Sequence, residues 1–77
     1  MAKVNVEYTD TFQGEANYSW CKRATIDITE SISNQKLIAM AKTAVGAFGN
    51  FRTVMNTGDF IRLNERGACR CIFITFE

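Results

Sequence analysis

The stretch SNQKLIAMAKTAVGAFG, from Ser33 to Gly49, is the segment of the chain that shows helical periodicity. At about 100° per residue its apolar side chains fall on one face and its polar side chains on the other, which predicts an amphipathic helix. Ser33 is a suitable N-cap, and Ile32 can pack on the first turn as a hydrophobic staple. Gly46 or Gly49 can end the helix in the left-handed conformation. The predicted apolar face contains Leu37, Ile38, Ala41, Ala44, Val45 and Phe48.

The sequence before this helix predicts two strands. Residues 2–8 alternate between apolar and polar side chains, and alternation returns over residues 18–29. Between them, residues 10–17 are rich in turn formers, which predicts a loop or a loose hairpin tip with Gly14 at positive φ. The apolar face of the second strand is expected to be the floor on which the helix packs. It contains Tyr18, Trp20, Ala24, Ile26 and Ile28.

The sequence after the helix predicts three more strands. Residues 51–55 and 60–63 are β-prone and flank a turn, and residues 68–76 are apolar on both faces, as in a strand in the middle of a sheet. The predicted fold is therefore a single α+β domain over residues 1–77. Its antiparallel sheet of about five strands, in the order ββαβββ, carries one helix packed on one face.

The composition limits the functional classes. The formal net charge of +1 excludes a strongly acidic mimic of DNA. The longest apolar run is far shorter than a membrane span, and the N-terminus lacks the apolar core of a signal peptide. We therefore expect a protein of the cytoplasm with no membrane partner.

The sequence does not predict a catalytic site, a metal site or a cofactor. The chain has no histidine, which removes the usual general base and the commonest transition-metal ligand. Cys21, Cys69 and Cys71 supply three thiols, one fewer than the ligands of a structural zinc site. We expect reduced cysteines that act as small buried hydrophobic residues, and a protein that is not an enzyme.

The charges are segregated along the chain, and this predicts two candidate partner-binding surfaces. The first is an acidic loop, which combines carboxylates with aromatic anchors of the kind that dominate interfaces. The second is a basic helix face. A plain solvated surface is the alternative in each case. The loop contains Glu7, Asp10 and Glu15 flanked by Phe12 and Tyr18, and the basic face contains Lys36 and Lys42 with Arg52 nearby.

The segment YTDTFQGEANYSW, residues 8–20, resembles the N-terminal motif of small proteins carried by bacteriophages and other mobile elements. The likeness extends to the charged pair Lys22-Arg23, the turn at Gly58-Asp59 and the terminal FITFE of residues 73–77. The group has a second glycine where this chain has Gln13, and an arginine pair where it has Lys22-Arg23. No agreed activity accompanies the group, so the resemblance implies a class of protein and assigns no role to single residues.

This class includes inhibitors of host defence, among them anti-CRISPR proteins. The resemblance thus implies an inhibitor that binds a host protein stoichiometrically, with a CRISPR–Cas effector as the leading partner, in the cytoplasm of a bacterial host. The acidic loop is the favoured contact surface. The alternatives are a host-takeover regulator and a small nucleic-acid-binding module, in which the basic residues and an exposed Tyr18, Trp20 or Phe12 bind the ligand.

Overall fold

The computed structural model describes residues 2–13, 15–29 and 31–76. These residues form five strands and one helix, and the strands make one antiparallel sheet in the order β2-β1-β5-β4-β3. The predicted α+β class, with a helix on a five-stranded antiparallel sheet, is confirmed, and the last strand lies in the middle of the sheet as expected. The elements are β1 (Ala2–Phe12), β2 (Glu15–Ile28), α1 (Asn34–Val45), β3 (Phe51–Asn56), β4 (Phe60–Glu65) and β5 (Arg70–Phe76).

Both ends of α1 are capped by the residues that the sequence indicated. The Ser33 hydroxyl accepts a hydrogen bond from the backbone N–H of Lys36 at 3.2 Å, and Gly46 ends the helix at φ 72°. Because the helical spacing stops at Gly46, Phe48 does not continue the apolar face and is 87% exposed, while Ala47 is buried. The predicted core position of Phe48 is therefore wrong. Ala44, on the edge of the predicted face, is also exposed.

The core lies between α1 and the face of the sheet that the helix covers. The helix contributes Leu37, Ala41 and Val45, and the strands contribute apolar residues at alternate positions, as the pleat requires. The strand residues of the core are Val4, Val6, Tyr8, Ile28, Ile61, Leu63, Ile72 and Ile74. The opposite face of the sheet, which we call the open face, has no helix over it among the described residues.

The strands β1 and β2 are longer than predicted, and their pairing is interrupted once. It is regular as far as Thr9 and Cys21, and it resumes with Thr11 opposite Ala16. Residues 17–20 of β2 thus lie opposite the single residue Asp10 of β1, so three of them are extra, and we call this segment the 17–20 bulge. Most of the predicted loop between residues 10 and 17 is thus strand. Gly14, predicted at positive φ, lies outside the described residues.

The 17–20 bulge overturns the predicted burial of Tyr18 and Trp20. Both were expected beneath the helix, yet Tyr18 is 48% exposed and Trp20 is 37% exposed. The extra residues break the alternation at Tyr18, whose hydroxyl bonds Glu7 on the open face. Trp20 remains on the helix side against Tyr8, but it is only partly covered. Tyr18 has φ 56°, which is rare for a residue with a bulky side chain.

Within the described residues, no helix has the length and hydropathy of a membrane span.

Candidate partner-binding surface

Asp10 organises the 17–20 bulge. Its carboxylate accepts hydrogen bonds from the Asn17 side-chain amide at 3.0 Å, the Ser19 backbone N–H at 3.0 Å and the Ser19 hydroxyl at 2.6 Å. The hydrogen bonds from Ser19, and then from Asn17, lower the pKa of Asp10 to about 2. The Thr9 hydroxyl donates to the backbone carbonyl of Trp20 at 2.6 Å, which fixes the other end of the bulge. Asp10 is therefore an ionised structural carboxylate.

Glu7 also has partners within the chain. It forms an ion pair with Arg23 at 2.8 Å and accepts a hydrogen bond from the Tyr18 hydroxyl at 3.2 Å. Burial, followed by the hydrogen bond to Glu7, raises the pKa of Tyr18. The Tyr18 ring is thus tied to the open face beside Glu7, with part of its surface in solvent.

The end of the β1–β2 hairpin presents the remaining predicted residues. Phe12, the last residue of β1, is 66% exposed, and its register partner is the exposed Glu15 of β2. Farther from the tip, the Trp20 ring meets Tyr8 edge to face, with centroids 4.9 Å apart. We call Phe12, Glu15, Tyr18 and Trp20 the hairpin surface. It combines three partly exposed aromatic rings with one carboxylate, and it includes both faces of the hairpin, since Tyr18 lies on the open face beside Glu7 and Trp20 lies on the helix side against Tyr8.

The structure brings the predicted acidic residues into one hairpin but leaves them only partly available. Glu7 is ion-paired with Arg23, and the oxygens of Asp10 are occupied by hydrogen bonds from neutral groups of Asn17 and Ser19, so both carboxylates have partners before any other protein arrives. Glu15 stands at the hairpin end, where solvent reaches it. The acidic character predicted for this surface is therefore smaller than the sequence suggested, and its aromatic character is larger.

The predicted basic residues do not form one surface. Lys36 lies in the first turn of α1, and the Lys42 ammonium lies 5.4 Å from the centroid of the Phe51 ring. Phe51 faces the helix side of the sheet, where its ring meets Tyr8. Because neighbouring residues of a strand point to opposite faces, Arg52 lies on the open face, away from Lys42. The expected grouping of Lys36 and Lys42 with Arg52 is therefore wrong.

The three cysteines are free thiols in three different environments. Cys71 is fully buried, and burial raises its pKa; Cys21 is half-buried. Cys69 is exposed because it precedes the start of β5 at Arg70, so its expected burial is wrong. Within the described residues, no three Cys, Asp or Glu side chains come together as a group that would bind a metal ion.

A polar cluster on the helix side escaped the sequence analysis. The side chain of Glu65 is only 6% exposed and forms an ion pair with Arg70, while the Tyr8 hydroxyl points to the same carboxylate at 3.5 Å. Gly49 packs over this carboxylate so closely that an added Cβ would lie 2.8 Å from Glu65 Cδ. This cluster closes the end of the core next to Phe51.

Other residues that shape the hairpin surface were also missed. Arg23 neutralises Glu7, and Asn17 and Ser19 bind Asp10. The sequence carried one usable signal, the concentration of Asp, Asn and Ser near residues 10–19, since these side chains readily bond to nearby backbone groups. No pattern in the sequence predicts the position of the register shift.

No protein-family model matches the chain, and comparison with curated proteins and with solved structures gives no match. The resemblance to proteins of phages and mobile elements therefore stays a prediction.

Proposed function

We propose that the chain is a stoichiometric protein-binding inhibitor that contacts its partner through the hairpin surface. One observation carries the proposal: the rings of Phe12, Tyr18 and Trp20, all in the β1–β2 hairpin, are 66%, 48% and 37% exposed. Large aromatic side chains supply much of the binding energy in protein interfaces. Folded chains seldom leave several of them exposed on one hairpin unless that hairpin contacts something.

The rigidity of the 17–20 bulge supports this use of the surface. Three hydrogen bonds to Asp10 and one from Tyr18 to Glu7 fix the backbone and one ring before binding. A surface ordered in advance loses less conformational entropy on association, so more of its contact energy appears as affinity. Tyr18 at positive φ fits this view, since strained residues are often found where a protein binds.

The proposal involves no turnover. Glu7, Asp10 and Glu65, three carboxylates that could serve in acid–base chemistry, are all bonded within the chain. Binding alone, in a ratio of one inhibitor to one partner, therefore accounts for the proposed activity.

The resemblance to small phage and mobile-element proteins supports a partner from host defence, within the cytoplasm of a bacterial host. A CRISPR–Cas effector is the first partner to test, because its nucleic-acid groove is basic and would attract Glu15 beside an aromatic anchor. A host-takeover regulator would use the same surface on another bacterial protein.

The test compares two exposed phenylalanines, Phe12 in the hairpin surface and Phe48 in the segment after helix α1. Affinity-tagged wild type, Phe12→Ala and Phe48→Ala are used to capture partners from host lysate, and each captured effector is then titrated with purified variants. Phe12→Ala should weaken binding by about thirtyfold or more, as expected for an aromatic anchor, and should restore host defence in a plaque assay. Phe48→Ala should behave as wild type, because Phe48 lies outside the hairpin surface.

Full inhibition by Phe12→Ala would overturn the proposal. So would a wild-type protein that captures nucleic acid and no protein.

A further inference from the structure

The open face of β3, β4 and β5 carries a pair of aromatic rings. Phe60 and Phe73 lie on neighbouring strands, with ring centroids 5.6 Å apart and planes inclined by 32°. Each is half-buried, so part of each ring is exposed to solvent. Their neighbours Ile61, Ile72 and Ile74 are buried on the helix side, which assigns both rings to the open face.

One arginine borders these rings, and two more lie farther along the sheet, toward the end of β4. The Arg62 guanidinium lies 5.5 Å from the centroid of Phe73, and its Nε donates to the Asn64 side chain. Arg52 is the register partner of Asn64 and is exposed. Arg66 and Arg52 line the same groove of about 460 Å³ at the end of β4.

Two acidic residues adjoin this surface, Asp59 in the turn before Phe60 and Glu7 opposite Phe73, and Glu7 is ion-paired with Arg23. A third, Glu65, lines the groove together with Arg52 and Arg66 and is ion-paired with Arg70. Glu65 is the acidic residue of the described parts of β3, β4 and β5, and its carboxylate lies on the helix side with Tyr8. Four of the chain's five arginines lie between residues 52 and 70, against two acidic residues, so positive charge exceeds negative charge in this part of the chain. A polyanion is therefore the ligand that the charge favours.

Tyr18 extends the aromatic surface toward β1. Its hydroxyl is bonded to Glu7, and Glu7 is the register partner of Phe73. The bulge thus brings a third, half-exposed ring to the side of the Phe60–Phe73 pair. Aromatic rings on a sheet, bordered by arginines, are the arrangement on which bases stack while cations bind the phosphates.

We propose that the open face binds single-stranded nucleic acid, with bases on Phe60 and Phe73 and phosphates at Arg52, Arg62 and Arg66. This surface is distinct from the helix face, which contains Lys36 and Lys42. A duplex does not fit, because its bases are already paired and stacked and cannot reach the rings. The two surfaces share Tyr18, but the proposals name different ligands and test different residues, so each can fail without the other.

The experiment uses fluorescence anisotropy with labelled oligo(U), oligo(dT) and a DNA duplex, each of about 12 nucleotides. We expect both single strands to bind more tightly than the duplex. Three phosphate contacts predict that the logarithm of the association constant falls with the logarithm of salt concentration with a slope of about −2. Tighter binding of oligo(U) than oligo(dT) would assign the site to RNA, and the reverse order would assign it to DNA.

Two matched pairs of variants test the site itself. The double variant Arg52→Gln, Arg62→Gln should weaken single-strand binding by about tenfold or more and flatten the salt slope. The control, Lys36→Gln with Lys42→Gln, removes the same charge and should leave the affinity and the salt slope unchanged. Phe73→Leu keeps an apolar side chain of similar size but loses the stacking surface, and should weaken binding by about fivefold or more. Circular dichroism melting of every variant identifies those that have lost the fold.

Three results would overturn the proposal. They are equal affinity for the duplex, an unchanged affinity in folded Arg52→Gln, Arg62→Gln protein, and no binding of any strand at low salt. Capture of a protein partner through these residues, in place of nucleic acid, would overturn it as well.

Discussion

The hydroxyl of Ser19 donates a hydrogen bond of 2.6 Å to the carboxylate of Asp10, across a strand pair whose register has shifted at this point. The Ser19 backbone N–H donates to the same carboxylate. This one side chain therefore takes the place of the ladder hydrogen bonds that a regular pair of strands would form here. Residues 17–20 depend on its charge for their conformation.

Replacing Asp10 with Asn should loosen the 17–20 bulge, because an amide has one acceptor oxygen where the carboxylate has two. Amide hydrogen exchange of Ser19, followed by NMR, should become faster in Asp10→Asn. Asp59→Asn is the matched control, since Asp59 lies in the turn between β3 and β4 and should not affect Ser19. Unchanged exchange in Asp10→Asn would show that the backbone fixes the bulge by itself.

The same contact predicts a response to acid. The pKa of Asp10 is lowered to about 2 from a usual 3.8, so the ionised carboxylate is favoured in the folded protein. Its stabilising effect is therefore complete above about pH 4 and is lost as the pH falls toward about 2. The Ser19 amide shift should titrate with a midpoint near pH 2. A midpoint near pH 4 would contradict the hydrogen bonds that we describe.

The bulge marks the limit of prediction from this sequence. Alternation in β2 identified the strand and the half-buried Ile26, but it continued through Tyr18 and Trp20 as if the pairing were regular. A register shift is decided by the partner strand and by the hydrogen bonds of Asp10, neither of which appears in the local pattern of apolar residues. The residues of the hairpin surface were therefore identified, but their burial and charge state were not.

Two apolar residues of the predicted helix face should respond differently to truncation. Leu37 is 1% exposed, so Leu37→Ala should lower the free energy of unfolding by about 2–5 kcal/mol. Phe48 lies beyond the Gly46 cap, and Phe48→Ala should change the free energy of unfolding by no more than about 0.5 kcal/mol. Urea denaturation of both variants measures the contrast. Equal losses in the free energy of unfolding would show that Phe48 is part of the core.

Helix α1 also shows what the sequence does predict well. Its periodicity and its caps at Ser33 and Gly46 are local features that do not depend on the rest of the fold. The sequence does not distinguish Gly46 from Gly49 as the end of the helix, and the end at Gly46 is what leaves Phe48 exposed. The cap at Gly46 thus lies between Val45, whose predicted burial is correct, and Phe48, whose predicted burial is wrong.

The cysteines should react with iodoacetamide in the order Cys69, Cys21, Cys71. Cys69 is exposed, Cys21 is half-buried, and Cys71 is buried with a raised pKa that disfavours its reactive thiolate. Under native conditions Cys71 should react at least about tenfold more slowly than Cys69. Mass spectrometry of timed digests gives the order, and alkylation in urea is the control in which all three react alike. Early labelling of Cys71 would contradict its burial between Thr9 and Asn64 in the sheet.

The ion pair between Glu65 and Arg70 should stabilise the fold mainly because Arg70 compensates the charge of a buried carboxylate. The Glu65 side chain is 6% exposed, whereas Arg70 is 45% exposed, so truncating the arginine leaves a desolvated charge behind. Arg70→Met should therefore lower the free energy of unfolding by about 1–3 kcal/mol. In a Glu65→Gln background, where no charge remains to be compensated, the same substitution should cost less than half as much.

Urea denaturation of the four proteins in this double-mutant cycle measures the difference. Arg66→Met, which replaces the neighbouring arginine on the exposed turn, is the control for loss of charge alone. Equal losses in both backgrounds would mean that Arg70 stabilises the sheet by packing and not by its charge.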